Sequence, residues 1–373
     1  MSKKLITFVF GTRPELIKLA PLIKICEKSF RVRILSTGQH KELLQNLYDW
    51  FHITPDFNLE IMKPNQSPSQ VISSILDKLD KLIEGSDFLI VQGDTATAFA
   101  AAMAGFLQKI TVIHLEAGLR TDNRYNPFPE EMLRRQISRL ATIHLAPTEK
   151  ARENLTLEGV KDNVHVVGNT VIDSLKQTTA RLKAIEKDQP KELEKLIKLP
   201  FVSEISGERI VLVTMHRREN LGKDHENVSK ALNRIAKENE NIKIVFPVHP
   251  NPSVRKSVEG CLKNLKNVFL IDPVDYVTFC WLLDNAHVLV TDSGGLQEEG
   301  TSLGKPTLVL RETTERPEAI EAGVAKLVGC NEEKVYKNLD TLLNNQEVYK
   351  QMSIPSNTFG NGHSSEKILE IID

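Results

Sequence analysis

Short runs of β-branched and large apolar residues alternate along the chain with longer amphipathic stretches. This is the pattern of a parallel sheet covered by helices on both faces. In the first half it predicts strands over Leu5 to Phe10, Val32 to Ser36, Phe88 to Gln92, Thr111 to Leu115, Ile143 to Ala146 and His165 to Val167. Nearly every one runs into a polar or glycine cluster: Gly11-Thr12-Arg13-Pro14, Thr37-Gly38-Gln39-His40, Gly93-Asp94-Thr95, Glu116-Ala117-Gly118. Between Gln177 and Glu208 the composition turns to Lys and Glu, which predicts a solvated helix and linker. The pattern restarts at Ile210 to Thr214, Ile242 to Pro247, Val268 to Ile271, His287 to Val290 and Thr307 to Leu310. The expectation is an α/β fold of two doubly wound domains, residues 1–175 and 176–359, with the terminal helical segment 360–373 returning to the first. Ligands of such sheets bind at the carboxyl ends of the strands, so the polar clusters should share one edge in each domain and face a common cleft.

A chain of 373 residues, 40% apolar and 26% charged, fits two domains of ordinary size. Its formal net charge of -1 offers no basic field for a nucleic-acid backbone, but leaves room for a small anion held by local donors. Cys26, Cys261, Cys280 and Cys330 are far apart and form no Cys-x-x-Cys pair, so they read as buried thiols of a reducing compartment. The opening Met-Ser-Lys-Lys and Leu5 to Phe10 are too short for a signal peptide, and no run of about 18 apolar residues follows. A cytoplasmic protein that makes no use of a membrane is expected. Zinc-ligand spacing, a P-loop, a nucleophile elbow and the Gly-x-Gly-x-x-Gly fingerprint are all missing, which argues against metal, nicotinamide and flavin.

The densest chemistry lies in residues 291–318. A strand runs into Asp292-Ser293-Gly294-Gly295 and then a helix start; the glycines admit a ligand close to backbone, and the helix-start amides suit a phosphate. Glu298 and Glu299 follow one turn on, where a carboxylate can reach a sugar hydroxyl or ribose. Together these groups read as a seat for a phosphorylated sugar nucleotide. Thr214-Met215-His216-Arg217-Arg218 ends the first strand of the second domain and concentrates positive charge suited to a diphosphate, with His216 able to exchange a proton. A basic turn is the plainer account. His249, at the next strand end, could equally be a structural turn histidine.

In the first domain Gly11-Thr12-Arg13-Pro14-Glu15 opens a helix at Pro14 and offers Arg13, with Lys18 beyond, as cations; a tight turn with a solvent-facing Arg competes. Asp94 and Glu116 stand directly at the ends of neighbouring strands, where partial desolvation raises basicity. For Asp94 the competing role is the N-cap of the next helix. Asn126-Pro127-Phe128-Pro129-Glu130-Glu131 begins a helix through Arg134, Arg135 and Arg139, with Glu130–Arg134 and Glu131–Arg135 at i, i+4. A well-capped surface helix would explain that segment, while its two prolines stiffen the entry to Glu130.

Taken in order, Phe10-Gly11-Thr12-Arg13-Pro14-Glu15, Gly93-Asp94-Thr95, Glu116-Ala117-Gly118-Leu119-Arg120-Thr121, Pro127-Phe128-Pro129-Glu130-Glu131, Gly168-Asn169-Thr170-Val171-Ile172-Asp173, His216-Arg217-Arg218-Glu219-Asn220, the Asp292 block and Thr313-Thr314-Glu315-Arg316-Pro317-Glu318 resemble the non-hydrolysing UDP-N-acetylglucosamine 2-epimerases. The resemblance covers essentially the whole chain. It implies a glycosyltransferase-B architecture, two Rossmann-like domains with parallel sheets closing over a UDP-sugar, in a homodimer without metal or other cofactor. By it, Asp94, Glu116 and Glu130 match the catalytic carboxylates, and His216 the histidine that assists the departing diphosphate. Arg13, Ser293, Gly294, Gly295 and Glu299 match nucleotide-binding positions, Lys18 a further polar residue near the active site, and Arg217 and Arg316 fall in matched substrate-binding segments. Gln39, Glu130, Arg217 and His249 match the place where a second UDP-N-acetylglucosamine activates many bacterial members. This chain carries Glu42 and Asn65 where activated members commonly carry glutamine and arginine, an exchange of donor for acid and the loss of a cation that should weaken diphosphate binding there. The competing activities are a hydrolysing epimerase releasing free N-acetylmannosamine, an epimerase of a diacetamido uronic acid nucleotide, and a transferase on the same fold.

Overall fold

The computed structural model describes residues 3–39, 41–63, 66–215 and 223–373. The chain divides into two compact units, Met1–Ser174 with Phe359–Asp373, and Leu175–Thr358. Unit 1 alternates β1 (Leu5–Phe10), α1 (Arg13–Ser29), β2 (Arg31–Ser36), α2 (Lys41–Phe51), β3 (Phe57–Asn58), α3 (Pro68–Ile83) and β4 (Phe88–Gln92). It continues with α4 (Ala96–Leu107), β5 (Thr111–Leu115), α5 (Glu130–Leu140), β6 (Ile143–Ala146), α6 (Glu149–Leu157), β7 (Val164–Val166) and the first turn of α7 (Thr170–Asp188). Its sheet has the order β3-β2-β1-β4-β5-β6-β7, parallel throughout.

Unit 2 adds α8 (Pro190–Ile197), α9 (Val202–Ile205), β8 (Arg209–Thr214), α10 (Lys223–Glu238), β9 (Ile242–Pro247), α11 (Pro252–Leu262) and β10 (Val268–Ile271). Then come α12 (Tyr276–Asn285), β11 (Ala286–Thr291), α13 (Gly294–Ser302), β12 (Thr307–Val309), α14 (Pro317–Glu321), β13 (Ala325–Leu327), α15 (Glu332–Asn344) and α16 (Gln346–Met352). The order here is β10-β9-β8-β11-β12-β13, again parallel. The closing helix α17 (Ser364–Ile372) packs on α1 within unit 1.

Both sheets are of the doubly wound α/β type, and the strand order reverses at β1/β4 in one and at β8/β11 in the other. At such a reversal neighbouring crossover helices diverge and leave a crevice beyond the strand ends. The apolar runs explain the strands: all six residues of β1 are buried, as a strand covered on both faces requires. Helix α4 is alanine-rich because it lies tight on the sheet; a Cβ on Gly105 would come within 2.6 Å of Leu89 and 2.8 Å of Val112. Unit 2 has its own core, centred on Val211, Val213, Ile244, Phe246, Val288 and Val290.

Two short strands, β3 and β13, lie outside the sequence expectation, being too brief to show an alternation. The stretch read as a solvated helix and linker also contains α8 and α9, whose Leu193, Ile197 and Ile205 are buried beneath a charged face.

Candidate active site

The carboxyl edge of the unit 1 sheet is built around Gly11. A Cβ there would fall 2.3 Å from Thr37 Oγ1, 2.5 Å from Thr97 Oγ1 and 2.6 Å from Gln39 Oε1, so glycine alone fits. The next turn is fastened by Glu15. Its Oε2 accepts from Gly11 N at 3.0 Å, Thr12 N at 2.8 Å and Thr12 Oγ1 at 2.7 Å, closing a capping box at the start of α1. Its Oε1 accepts from Thr95 Oγ1 at 2.7 Å, joining the β1 and β4 loops. Burial pushes the Glu15 carboxyl up, and the hydrogen bonds of Thr95, Thr12 and Gly11 pull against it. Arg13 is half-buried on this turn, and Gln39 Oε1 accepts from Thr97 Oγ1 at 2.9 Å.

Asp94 follows Gly93, which takes a positive φ of 70°. The competing cap role is overturned: Thr95 is the N-cap of α4, its hydroxyl accepting from Ala98 N at 3.0 Å. The Asp94 carboxylate instead receives Arg134 Nη2, from the second turn of α5. The Gly93 turn is pinned from beneath by His114 Nε2, 2.8 Å from the Gly93 carbonyl, which must therefore carry its proton. Burial holds His114 neutral, its pKa pushed down to about 3, and its register partner His144 is lowered to about 4 by burial and then by Arg120.

Glu116 ends β5 in the left-handed region, φ 66°, a conformation costing a non-glycine residue on the order of 1 kcal/mol and found most often at functional sites. Its Oε2 is held by both Lys18 Nζ and Gln92 Nε2. Glu130 is the first residue of α5 and half-buried. The anticipated Glu130–Arg134 pair does not form, because Arg134 turns to Asp94 and to Glu131, 3.4 Å from Nη1; the Glu131–Arg135 pair does, at 3.0 Å. The structure thus brings Arg13, Lys18, Asp94, Glu116 and Glu130 to one sheet edge. Sequence reasoning missed Gln92, Glu15, His114 and Arg134 as parts of it. Gln92 had a signal: an amide closing an otherwise apolar strand.

In unit 2 the corresponding strand end is fastened first by hydroxyls. Thr214 and Thr291 hydroxyls lie 2.6 Å apart across β8 and β11, and Thr291 Oγ1 accepts from Ser293 N at 3.0 Å. Ser293 is the N-cap of α13 without a side-chain capping bond, and Gly294 and Gly295 form its first turn. Buried Gln297 donates to the Ser293 carbonyl at 3.1 Å and accepts from Thr314 Oγ1 at 2.6 Å, tying the helix start to the loop after β12. Arg316 lies over Gly294, where a Cβ would be 2.8 Å from Nη1, and is anchored by Nε to Glu298 at 2.8 Å. Glu298 is therefore a buttress for a cation, while Glu299, nearly buried, stands beside it. Burial works against the neighbouring Glu315, yet its bidentate Arg311 lowers it to about 2. Exposed His249 accepts Asn251 N on Nδ1 at 3.1 Å, the geometry of a turn histidine. His216, Arg217 and Asn65 lie outside the described residues, as does the Glu42 side chain.

Two parallel α/β units, one presenting a carboxylate-lined strand edge and the other a glycine-opened helix start beneath an arginine, define a protein of the glycosyltransferase-B fold class. The sequence model of the UDP-N-acetylglucosamine 2-epimerase family matches residues 24–373. The chain belongs to that family. It is 44% identical over 381 aligned residues to the UDP-N-acetylglucosamine 2-epimerase of Campylobacter jejuni, covering 99% of this chain and 97% of the relative. The Neisseria meningitidis enzyme, solved bound to UDP-GlcNAc, superposes with a TM-score of 0.89 at 42% identity, covering 98% of each chain. That of Methanocaldococcus jannaschii gives 0.83 at 34%, covering 99% of each.

Proposed function

We propose that this chain interconverts UDP-N-acetylglucosamine and UDP-N-acetylmannosamine without releasing free sugar. The observation that carries the proposal is that Asp94 and Glu116 stand at the ends of the neighbouring strands β4 and β5, each held as the partner of a cation. The C2 proton of the sugar is very weakly acidic, so it cannot simply be pulled off at neutral pH. It becomes removable if the C1–O bond breaks: UDP leaves with the bonding pair, positive charge grows at C1, and the C2–H pair closes the C1=C2 bond of 2-acetamidoglucal. Anti elimination is followed by re-addition of UDP to C1 and of a proton to the opposite face of C2.

Asp94 is the proton-accepting base of this scheme. Glu116, fixed by Lys18 and Gln92, offsets the charge at C1, and Glu130 serves the opposite face. The α13 amides, Ser293 and Arg316 hold the diphosphate, with Arg13 and the basic segment His216-Arg217 adding charge, and Glu299 binding the nucleotide.

A reducing compartment is part of this reading: among the described residues no cysteine forms a disulfide, and no helix is long and apolar enough to cross a membrane. A homodimer is part of this reading; exposed Phe106 and Leu107 at the end of α4 offer apolar surface to a second copy. The test is NMR of UDP-N-acetylglucosamine incubated with the protein in heavy water. Deuterium at C2 together with UDP-N-acetylmannosamine is expected. Free N-acetylmannosamine would mean hydrolysis, UDP release dependent on an acceptor a transferase, and an unchanged spectrum a different substrate.

A further inference from the structure

Arg134 is 9% exposed, and its guanidinium is divided between two carboxylates. Nη2 donates to Asp94 Oδ2 and Nη1 lies 3.4 Å from Glu131 Oε2. Glu131 is fully buried and immobilised in turn, accepting Thr121 N at 3.2 Å and Arg135 Nε at 3.0 Å. From Arg135 the chain of charges runs to Glu158 at 2.7 Å, and Glu158 receives Arg120 through Nε at 2.8 Å and Nη2 at 2.7 Å. Arg120 Nη2 also donates to Ser138 Oγ at 3.1 Å, and that hydroxyl donates to the Arg134 carbonyl at 2.9 Å. The ladder therefore closes on the helical turn that carries Arg134. A buried guanidinium anchored this way cannot swing aside without giving up both its carboxylate partners.

We propose that Arg134 is a positioning residue for the reaction: by occupying Asp94 Oδ2 it fixes the carboxylate so that Oδ1 is the oxygen that takes and returns the C2 proton. The proposal rests on the reading of Asp94 as the base. Its physical content is orientation: a carboxylate free to rotate presents either oxygen, whereas one held at Oδ2 by a two-point guanidinium has its reactive lone pair aimed in advance. Arginine is required because the same planar fork must serve Asp94 and Glu131 together; a lysine ammonium at the end of a flexible stem cannot span both in that geometry.

The experiment compares wild type with Arg134→Gln, Arg134→Lys and Asp94→Asn, alone and with Arg134→Gln added. Each is assayed for kcat, KM, UDP affinity by calorimetry and melting temperature. Arg134→Gln should lower kcat about 100-fold with UDP affinity kept within about 3-fold, and Arg134→Lys should regain only about a tenth of the wild-type kcat. Added to Asp94→Asn, Arg134→Gln should cost nothing further, because both act through one group. If Arg134→Gln melts earlier but keeps kcat within about 2-fold, or if the two losses multiply, the residue is structural and the proposal fails. Should Arg134→Gln not fold, the Arg134→Lys kcat decides, with a wild-type value overturning the proposal. The proposal has a readout apart from turnover: the NMR resonance of an isotope-labelled Asp94 carboxyl must move in Arg134→Lys. A wild type that neither epimerises nor exchanges deuterium removes the epimerase reading, whereas an unmoved carboxyl resonance removes this one.

Discussion

The edges of the two sheets share a strand order and differ in how their functional groups are fastened. In unit 1 each strand-end acid is met by a cation, Asp94 by Arg134 and Glu116 by Lys18, with a charge ladder behind Asp94. In unit 2 the acid at the equivalent position, Asp292, is fully buried, and the start of α13 beside it is tied by hydroxyls and an amide through Thr214, Thr291, Gln297 and Thr314, with the Arg316–Glu298 ion pair next to it. The difference follows from the work proposed for each. A centre that must move a proton and stabilise a growing cation needs charge at fixed points. A seat for a diphosphate that gains charge as the bond breaks needs amides and a cation already fixed in place. One topology therefore carries two chemistries, and the site, not the fold, decides which.

The widest separation between the edges should appear with Asp94→Asn. Its kcat is expected to fall about 1000-fold or more while UDP affinity changes by no more than about 2-fold, measured by NMR exchange and by calorimetry. A parallel loss of UDP binding would erase the distinction. The complementary change is Gly294→Val, which drives a side chain against Arg316, itself pinned to Glu298. UDP affinity should weaken about 10-fold, roughly 1.4 kcal/mol, with kcat at saturation within about 2-fold of wild type.

Acid titration should separate the units through their buried histidines. His114 and His144 in unit 1 are neutral when folded, with pKa values near 3 and 4 set by burial, and bind protons near 6.5 when unfolded. The unfolded chain thus holds more protons below pH 6.5, so stability falls as pH drops from there toward 4. Two such groups give a slope of at most about 2.7 kcal/mol per pH unit, and the half-buried His287 of unit 2, lowered to about 4, gives a smaller one because solvent screens it. Urea melts from pH 6.5 to 4.5, read from Trp50 for unit 1 and Trp281 for unit 2, should show the steeper decline for Trp50; equal slopes would refute the assignment. The smallest effect is expected from Gln297→Leu, which leaves the Thr314 hydroxyl and Ser293 carbonyl without their amide. UDP affinity should weaken about 3-fold and the melting temperature should fall by a few degrees, consistent with about 1 kcal/mol for a lost buried bond.

Much of this architecture was legible in the chain because a parallel strand covered on both faces has to be written as a short apolar run, and Leu5 to Phe10 or Ile242 to Pro247 can hardly be anything else. Strand-end acids were legible for the same reason: a strand that ends names the residue beyond it. Partners were not. Asp94 and Arg134 are forty residues apart, and local spacing offered Arg134 the wrong acid, Glu130, because i, i+4 pairing assumes a solvated helix face and α5 buries the relevant one. The cap at α4 fell to Thr95 rather than Asp94 by one residue, a choice decided by backbone geometry. Gln92 and Gln297 were overlooked because a buried amide contributes nothing to an apolar pattern.

The central claim is that the carboxylate edge breaks the C1–O bond in order to exchange the C2 proton. Positional isotope exchange tests it directly, using UDP-N-acetylglucosamine with heavy oxygen in the bridge between C1 and the β-phosphorus. The account predicts that recovered substrate carries the label scrambled into the non-bridging β-phosphate positions, because freed UDP turns before it adds back. Label that stays in the bridge while deuterium still enters C2 would contradict it.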